Sequence, residues 1–173
     1  MGVGRKPDLE PLLPPGRHIL TMSELHNLAV EPFEWHGQQR RGRLFQHLEQ
    51  AIQDLLVRNI RCELVINGSF LTLKAMPSDI DVKVYVDSEV ADLLDTDQIN
   101  FLSQLNQDFY HEDLDISSYV SYGIGHPFRG CALDMLAEGE MYGLQNDREW
   151  LKGYVSLMIW ETHVGLRICR RSS

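Results

Sequence analysis

Residues 65–82 read VINGSFLTLKAMPSDIDV, and the order of apolar and turn-forming residues in this stretch predicts the centre of the fold. An apolar run, Cys62–Ile66, ends at Asn67-Gly68, which is typical of a buried strand that enters a tight turn. Ser69–Lys74 is expected to form a short helical turn. Ile80–Val86 alternates and is rich in β-branched residues, which predicts a second strand.

The corner at Gly68-Ser69 is suited to holding a phosphate. Glycine directly after a buried strand lets the backbone turn sharply or lets a ligand approach closely. Ser69 follows at an expected helix start, where unpaired backbone N–H groups and the helix dipole favour an anion such as a triphosphate. A Gly-Ser pair by itself is more often an ordinary turn, so the corner needs support from its surroundings.

Asp79 and Asp81 provide that support. They are separated by one residue on a predicted strand, so both side chains are expected on the same face. Two carboxylates so placed repel each other unless a cation lies between them. Mg²⁺ takes oxygen ligands and completes its shell with substrate phosphates. The alternative is a solvated edge strand with alternating acids, and the position just after a strand–Gly–Ser corner favours the metal site.

The combination resembles the hallmark of the DNA polymerase β-like nucleotidyltransferase superfamily, which is a hydrophobic strand, Gly-Ser, a short spacer and Asp-hydrophobic-Asp. Gly68-Ser69 and Asp79-Ile80-Asp81 match this pattern. In more detail, the residues at 13–16 (LPPG) and 67–77 (NGSFLTLKAMP) resemble those of a small, mostly uncharacterised bacterial branch of this superfamily. The resemblance covers roughly residues 12–140, and it is specific at the motif and loose elsewhere.

The resemblance implies a mixed sheet with its acids on adjacent strands. It implies that a nucleoside triphosphate binds through Mg²⁺, with two ions as one option, and that a nucleoside monophosphate passes to a hydroxyl group. Metal ions held by carboxylates can activate the attacking oxygen and neutralise the leaving pyrophosphate. The expected catalytic and metal-binding residues are therefore Asp79 and Asp81.

Active members of that superfamily usually carry a third carboxylate on a later strand. The preferred candidate is Asp134, because it lies in the apolar strand pattern of Cys131–Ala137, where an isolated acid is costly unless it is paired or bound to metal. Asp134 could instead cap a strand or pair with Arg129. Its rivals are Asp113, Asp115, Glu138 and Glu140.

Two further side chains are candidates for phosphate contacts. Ser69 offers a hydroxyl and an N–H group, and Lys74 lies between the two halves of the motif, where its ammonium group could reach a phosphate oxygen. An ordinary exposed lysine is an equal alternative for Lys74.

The rest of the chain supplies the layers around this motif. Thr21 and Glu24 have the spacing of a capping box. The expected helices are Met22–Val30, 38–59, Asp97–Phe109 and Asp147–Trp160, and the further expected strands are Ser117–Tyr122 and Cys131–Ala137. This order predicts a mixed α/β (α+β) fold with a small sheet packed largely on one face by helices. The expected organisation is an extended proline-rich arm at residues 1–17, one domain at 18–160, and a basic tail at 161–173 that is without structure or forms a strand through Val164–Ile168.

The composition and net charge of the chain exclude several classes of binding partner. The chain has 173 residues and a formal net charge of −9, with a pI of about 5.2, so a broad nucleic-acid-binding face is not expected. The basic clusters at 40–43 and 167–171 are interpreted as a solvated helix face and a chain end. Three cysteines without CxxC spacing argue against disulfides and zinc and favour a reducing cytoplasm. No membrane span or signal peptide is expected, and the spacing of the seven histidines predicts no metal site among them.

The leading functional prediction is a small Mg²⁺-dependent nucleotidyltransferase. The acceptor hydroxyl is left open, and analogy with minimal members of the superfamily suggests a partner protein in a toxin–antitoxin or phage-defence pair. The first alternative is an inactive nucleotide-binding or protein-interaction module of the same fold. The second is a scaffold whose acids form only a charged strand face.

Overall fold

In a computed structural model of the protein, residues 9–107, 110–129 and 152–159 are described. Their strands are β1 (Gly16–Ile19), β2 (Glu63–Asn67), β3 (Ile80–Asp87), β4 (Leu114–Ser121) and β5 (Gly153–Met158). Their helices are α1 (Met22–Ala29), α2 (Trp35–Val57), α3 (Ser88–Ala91) and α4 (Thr96–Leu105), with a 3₁₀ turn at Gly68–Leu71.

The strands form one mixed sheet in the order β1-β5-β2-β3-β4. Strand β2 is antiparallel to both β5 and β3, whereas the outer pairs β1–β5 and β3–β4 are parallel. The predicted α+β class with a small mixed sheet is therefore confirmed.

The two faces of the sheet differ in character. On one face, alternate residues of β2, β3 and β4 join buried side chains of α1, α2 and α4 in the main hydrophobic core. The opposite face carries the residues in between. At one end of β2, β3 and β4 these are Asn67, Asp81 and Asp115, which are neighbours in register. Because residues paired across neighbouring strands point to the same face, the polar end of the sheet collects these three side chains.

The first two helices follow from local sequence. The predicted capping box of α1 is present, since Thr21 Oγ1 accepts from Glu24 N at 3.2 Å and Thr21 N donates to Glu24 Oε2 at 2.7 Å. Helix α2 overlaps most of the predicted 38–59 helix, but it begins a few residues earlier, at Trp35, and ends at Val57, because Arg58 caps it and Asn59 has a positive φ of 54°. Its apolar stripe is buried against the sheet, as its three- and four-residue spacing predicts.

The predicted last helix is wrong over residues 153–158, which form β5. Strand β5 lies between β1 and β2, and all of its first five residues are buried. A strand covered on both faces presents consecutive apolar residues, and such a run cannot be told from a buried helix by periodicity. Gly153 also lies so close to the chain that a Cβ atom there would meet the Pro14 carbonyl oxygen at 2.2 Å.

The interpretation of residues 40–43 as a solvated helix face is wrong for Arg41, which is 0% exposed. Arg41 lies three, four and seven residues before Leu44, Phe45 and Leu48, so it belongs to the buried stripe of α2. The charge of Arg41 predicted an exposed side chain, whereas the geometry of the helix directs this side chain into the protein interior.

Part of the predicted N-terminal arm is paired with the domain. Gly16 and Arg17 belong to β1, and the backbone hydrogen bonds Leu12 N to Leu71 O and Leu73 N to Glu10 O, both 2.9 Å, join the arm to the segment after the corner. The predicted strand Cys131–Ala137 with Asp134, and the tail at 161–173, lie outside the described residues. Within the described part of the chain, no helix combines the length and apolarity that a membrane crossing requires.

Candidate metal and nucleotide site

The glycine corner and the second acid of the motif are in direct contact. Strands β2 and β3 place Asn67 opposite Asp81, and Gly68 continues from β2 with a φ of +78°. A Cβ atom at Gly68 would lie 1.5 Å from Asp81 Oδ2 and 2.5 Å from its Cγ. Glycine is therefore required both for the positive φ and for the room that the Asp81 carboxylate occupies.

A third acid joins this pair from β4. Asp115 is the register partner of Asp81 in the parallel pair β3–β4, so the two carboxylates lie side by side on the polar face. Asp79 precedes β3 by one residue and accepts a hydrogen bond from the Ser78 hydroxyl at 3.1 Å. Asp79 and Asp81 are half-buried and Asp115 is exposed, which leaves one side of the group open to a ligand.

The electrostatics of the group disfavour its fully charged form. Burial is the largest cause that raises the pKa of Asp81 above its ordinary value, and the negative charges of Asp79 and Asp115 raise it further. The Lys83 ammonium group, two residues along the same face, opposes this effect only in part. A divalent cation would relieve the same repulsion, so the three acids have the chemistry of an oxygen-ligand metal site.

In metal-free protein, the change Asp81→Asn is expected to increase the free energy of unfolding at pH 7 by about 1 kcal/mol. A carboxyl whose pKa is higher in the native state stabilises that state when protonated. This contribution is lost as the pH rises from the ordinary value of 3.8 through the raised native value. The gain should therefore shrink as the pH falls toward 4.

Urea unfolding in the presence of a chelator measures the gain in stability of Asp81→Asn, with the exposed Glu34→Gln as a control that changes stability little. A variant less stable than wild type at pH 7 would contradict the proposed repulsion.

Asn67 adds a donor to the same end of the sheet. Its side chain is 5% exposed, and its Oδ1 accepts a hydrogen bond from Gly68 N at 2.7 Å. Its Nδ2 is buried and has no hydrogen-bond partner. A buried donor without a partner is costly, and an anionic oxygen bound at the corner would satisfy it. Sequence reasoning treated Asn67 as a turn residue and missed this property.

The remaining predicted residues hold different positions. Ser69 lies half-buried in the 3₁₀ turn beside Gly68, as the phosphate-corner prediction requires. Lys74 is half-buried and is held through its backbone, and no ion pair among the described residues joins its ammonium group to the acids. Lys83, which the sequence analysis did not select, donates to Tyr119 OH at 3.1 Å and to Ser117 Oγ at 3.3 Å on the polar face.

A second cluster on the other side of β4 contains histidine. His47, His111 and Asp113 come close enough to share a metal ion, which the sequence spacing of the histidines did not indicate. His47 Nδ1 lies 2.9 Å from Asp113 Oδ2. However, Arg40 and Arg43 also contact the Asp113 carboxylate, at 2.8 and 3.3 Å. A cation there would face two guanidinium charges, so we assign this cluster to an ion-pair network.

The cluster removes Asp113 from the candidates for the third acid. Burial acts to raise the pKa of Asp113, but the hydrogen bond and charge of Arg40, with the charges of Arg43 and His47, outweigh it and hold the pKa below its ordinary value. Asp113 is already neutralised on the helical side, whereas Asp115 faces Asp81. The signal for Asp115 was present in the sequence, because Leu114-Asp115-Ile116 repeats the apolar–acid–apolar pattern of Ile80-Asp81-Val82.

Fold and site together define an α+β protein with an acidic group and a glycine corner at one end of a mixed sheet. The model of the family DUF6932, a family of unknown function, matches residues 7–158, so the chain belongs to this family. No curated protein and no solved structure is significantly similar to the chain.

Proposed function

We propose that the protein is a Mg²⁺-dependent nucleotidyltransferase that moves a nucleoside monophosphate from a nucleoside triphosphate to a hydroxyl acceptor. The observation that carries the proposal is the contact of the Asp81 carboxylate with Gly68, with Asp115 beside Asp81 in register and Asp79 two residues before it. The resemblance of the same residues to the nucleotidyltransferase motif supports it independently of their geometry.

Each residue has a role that its position supports. Asp79, Asp81 and Asp115 would hold Mg²⁺, as one ion or as two. The Ser69 N–H and hydroxyl groups and the unpaired Nδ2 of Asn67 would face phosphate oxygens, whereas the Gly68 N–H is already bonded to Asn67 Oδ1. Bound Mg²⁺ would supply charge neutralisation at the phosphates, and the protein would supply positioning.

The third acid in this proposal is Asp115 rather than Asp134. Asp115 is placed beside Asp81 by the register of β3 and β4. Asp134 lies outside the described residues, so its selection still rests on the sequence pattern alone. Lys74 remains a proposed phosphate contact that no described interaction with the acids supports.

A catalytically inactive binding module is the second candidate. The observation that favours it is Lys83, which lies on the same face as Asp81 and lowers the pKa of its carboxyl. An ammonium group that offsets the acids can take over part of the role of a metal ion. Neither candidate function specifies the molecule that supplies the acceptor hydroxyl or acts as the binding partner. A partner protein in a toxin–antitoxin or phage-defence pair, in the cytoplasm, is proposed by analogy with the superfamily.

The proposal predicts transfer of the α-phosphate of a nucleoside triphosphate. In the reaction the acceptor hydroxyl loses its proton to solvent and its oxygen bonds to the α-phosphorus. The bond between the α-phosphorus and the oxygen that bridges to the β-phosphorus breaks, and pyrophosphate leaves. Incubation with lysate and α-³²P-labelled triphosphates and Mg²⁺ should label an acceptor, whereas γ-labelled triphosphates should not. The double change Asp79→Ala/Asp81→Ala should reduce labelling by at least about 100-fold.

A matched control is the double change Asp92→Ala/Asp97→Ala, which removes two exposed acids around α4 and should leave labelling unchanged. Equal labelling by wild type and the Asp79→Ala/Asp81→Ala variant would rule out catalysis at this site. Thermal stabilisation by Mg²⁺ and ATP without any label transfer would instead favour the binding module.

A further inference from the structure

The segment that joins the phosphate corner to the acids has no regular secondary structure. It runs from Thr72 to Asp79, between the 3₁₀ turn and β3. An isolated bridge between Thr72 and Pro11 and the hydrogen bond from Leu73 N to Glu10 O join its start to the N-terminal arm. The relative position of Gly68-Ser69 and Asp79 depends on how these eight residues are held.

Arg41 holds the first part of this segment. Its guanidinium group donates to four backbone carbonyl oxygens and is stacked 3.6 Å from the ring centroid of Phe33. The accepting oxygens are those of Ala29 at 2.7 Å, Phe70 at 2.8 Å, Thr72 at 2.7 Å and Lys74 at 2.7 Å, with a further contact to Lys74 at 3.2 Å. Three of these carbonyls belong to alternate residues after Ser69 (Phe70, Thr72 and Lys74), so one side chain holds the backbone that leaves the corner.

Arg40, the neighbouring residue on α2, holds the last part. Its Nε donates to Pro77 O at 3.1 Å, and its Nη2 donates to Ser78 O. Its Nη1 contacts Asp113 Oδ1 at 2.8 Å, which ties the same guanidinium to the residue two before Asp115. Arg40 therefore fixes the approach to Asp79 and connects it to the start of β4.

The burial of Arg41 has a cost that core packing alone does not explain. Burial lowers its pKa to about 10, so the side chain remains charged at neutral pH. Among the described residues, no carboxylate lies within ion-pair distance of Arg41. Removing a charge from water costs several kcal/mol, and an apolar residue of similar volume would often be no less stabilising. A rigid fork of five N–H donors is the feature that an apolar residue could not replace.

We infer that Arg40 and Arg41 are positioning residues that set the distance between the Gly68-Ser69 corner and Asp79-Asp81 for a metal–nucleotide complex. The inference rests on the proposed function of that site. Neither guanidinium reaches the acids of the site, and both act through the backbone of the connecting segment. Groups that hydrogen-bond directly to metal ligands typically change metal affinity 10- to 100-fold when they are altered, and we expect the lower end of that range here because both arginines act through the backbone.

The test is the binding of Mn²⁺ with a non-hydrolysable ATP analogue, followed through the electron paramagnetic resonance signal of free Mn²⁺. Arg41→Lys keeps the charge but offers one ammonium group in place of the fork, and we expect it to weaken Mn²⁺ binding by about 10-fold or more. Arg40→Lys should weaken it similarly. Because Arg40 is partly exposed, this second variant decides the question if Arg41→Lys does not fold.

Two control variants separate positioning from general loss of stability. Arg58→Lys alters a residue of similar chemistry at the other end of α2, which stacks on Phe101 at 4.1 Å and donates to Asp54 O. Arg43→Lys disturbs a contact to Asp113 but none to the segment. Both should bind Mn²⁺ as wild type does. Equal affinities in wild type, Arg40→Lys and Arg41→Lys would overturn the positioning role alone, whereas absence of binding to wild type would overturn the proposed function and this inference together.

Discussion

Replacing Asp115 by asparagine is expected to slow nucleotidyl transfer by at least about 100-fold, because one negative ligand is then lost from the metal site. Asparagine keeps the size of the side chain and removes its charge, so the fold should persist. Asp115 is exposed, so the variant should unfold near the wild-type temperature. The measurement is the initial rate of α-label transfer at saturating Mg²⁺ and triphosphate.

Two variants at other candidate acids show whether the effect is specific to Asp115. Asp134→Asn tests the acid that the sequence pattern preferred, and we expect most of the activity to remain. Asp113→Asn alters the buried acid that contacts Arg40, Arg43 and His47, and it should lower stability because the ion pairs with the two partly exposed arginines are lost. If Asp134→Asn abolishes transfer while Asp115→Asn retains most of it, the assignment of the third acid to β4 is wrong.

Gly68→Ala should destabilise the protein by about 3 kcal/mol or more, because positive φ and a direct overlap act together. The added methyl group would lie 1.5 Å from Asp81 Oδ2, so the carboxylate must leave its place against the corner. Urea unfolding measures the loss of stability. Binding of Mn²⁺ with nucleotide should be lost in the same variant.

The chain contains a matched control for this change. Gly125 has a φ of +91°, and nothing lies within 4 Å of the place that a methyl group would take, so Gly125→Ala has the backbone strain without the overlap and should cost about 1 kcal/mol. The overlap between the added methyl group and the Asp81 carboxylate can also be removed by shortening the side chain at residue 81. In an Asp81→Ala background the nearest remaining atom of residue 81 is its Cβ, at 3.3 Å, so Gly68→Ala should cost much less there. Equal costs in both backgrounds would refute the contact.

Much of the local structure could be predicted because its causes are local. The capping box of α1 needs only Thr21 and Glu24, and the corner needs only a glycine after a buried strand. Strand alternation predicted that Asp79 and Asp81 share a face, and Asp81 does lie on β3, whereas Asp79 precedes the strand by one residue and acts on Asp81 through its charge. The glycine corner and the first two acids therefore lie within one stretch of eighteen residues, 65–82.

The errors share a different cause. The predictions for Arg41 and for residues 153–158 are wrong because charge and apolar periodicity describe a residue without its spatial neighbours. Arg41 is inside since carbonyl groups from two distant segments meet its fork. Strand β5 is a strand because β1 and β2 lie on either side of it.

By itself, the sequence determined the α+β class, the glycine corner and the acid pair, since each depends on residues that are close along the chain. Only the tertiary structure decided that Asp115 stands beside Asp81, because that proximity is a register between β3 and β4, whose paired residues are far apart in sequence. The same holds for the arginine pair on α2, which reaches the segment between corner and acids only when the helix packs against it. Local patterns specify which chemical groups are present, and packing specifies which of them meet.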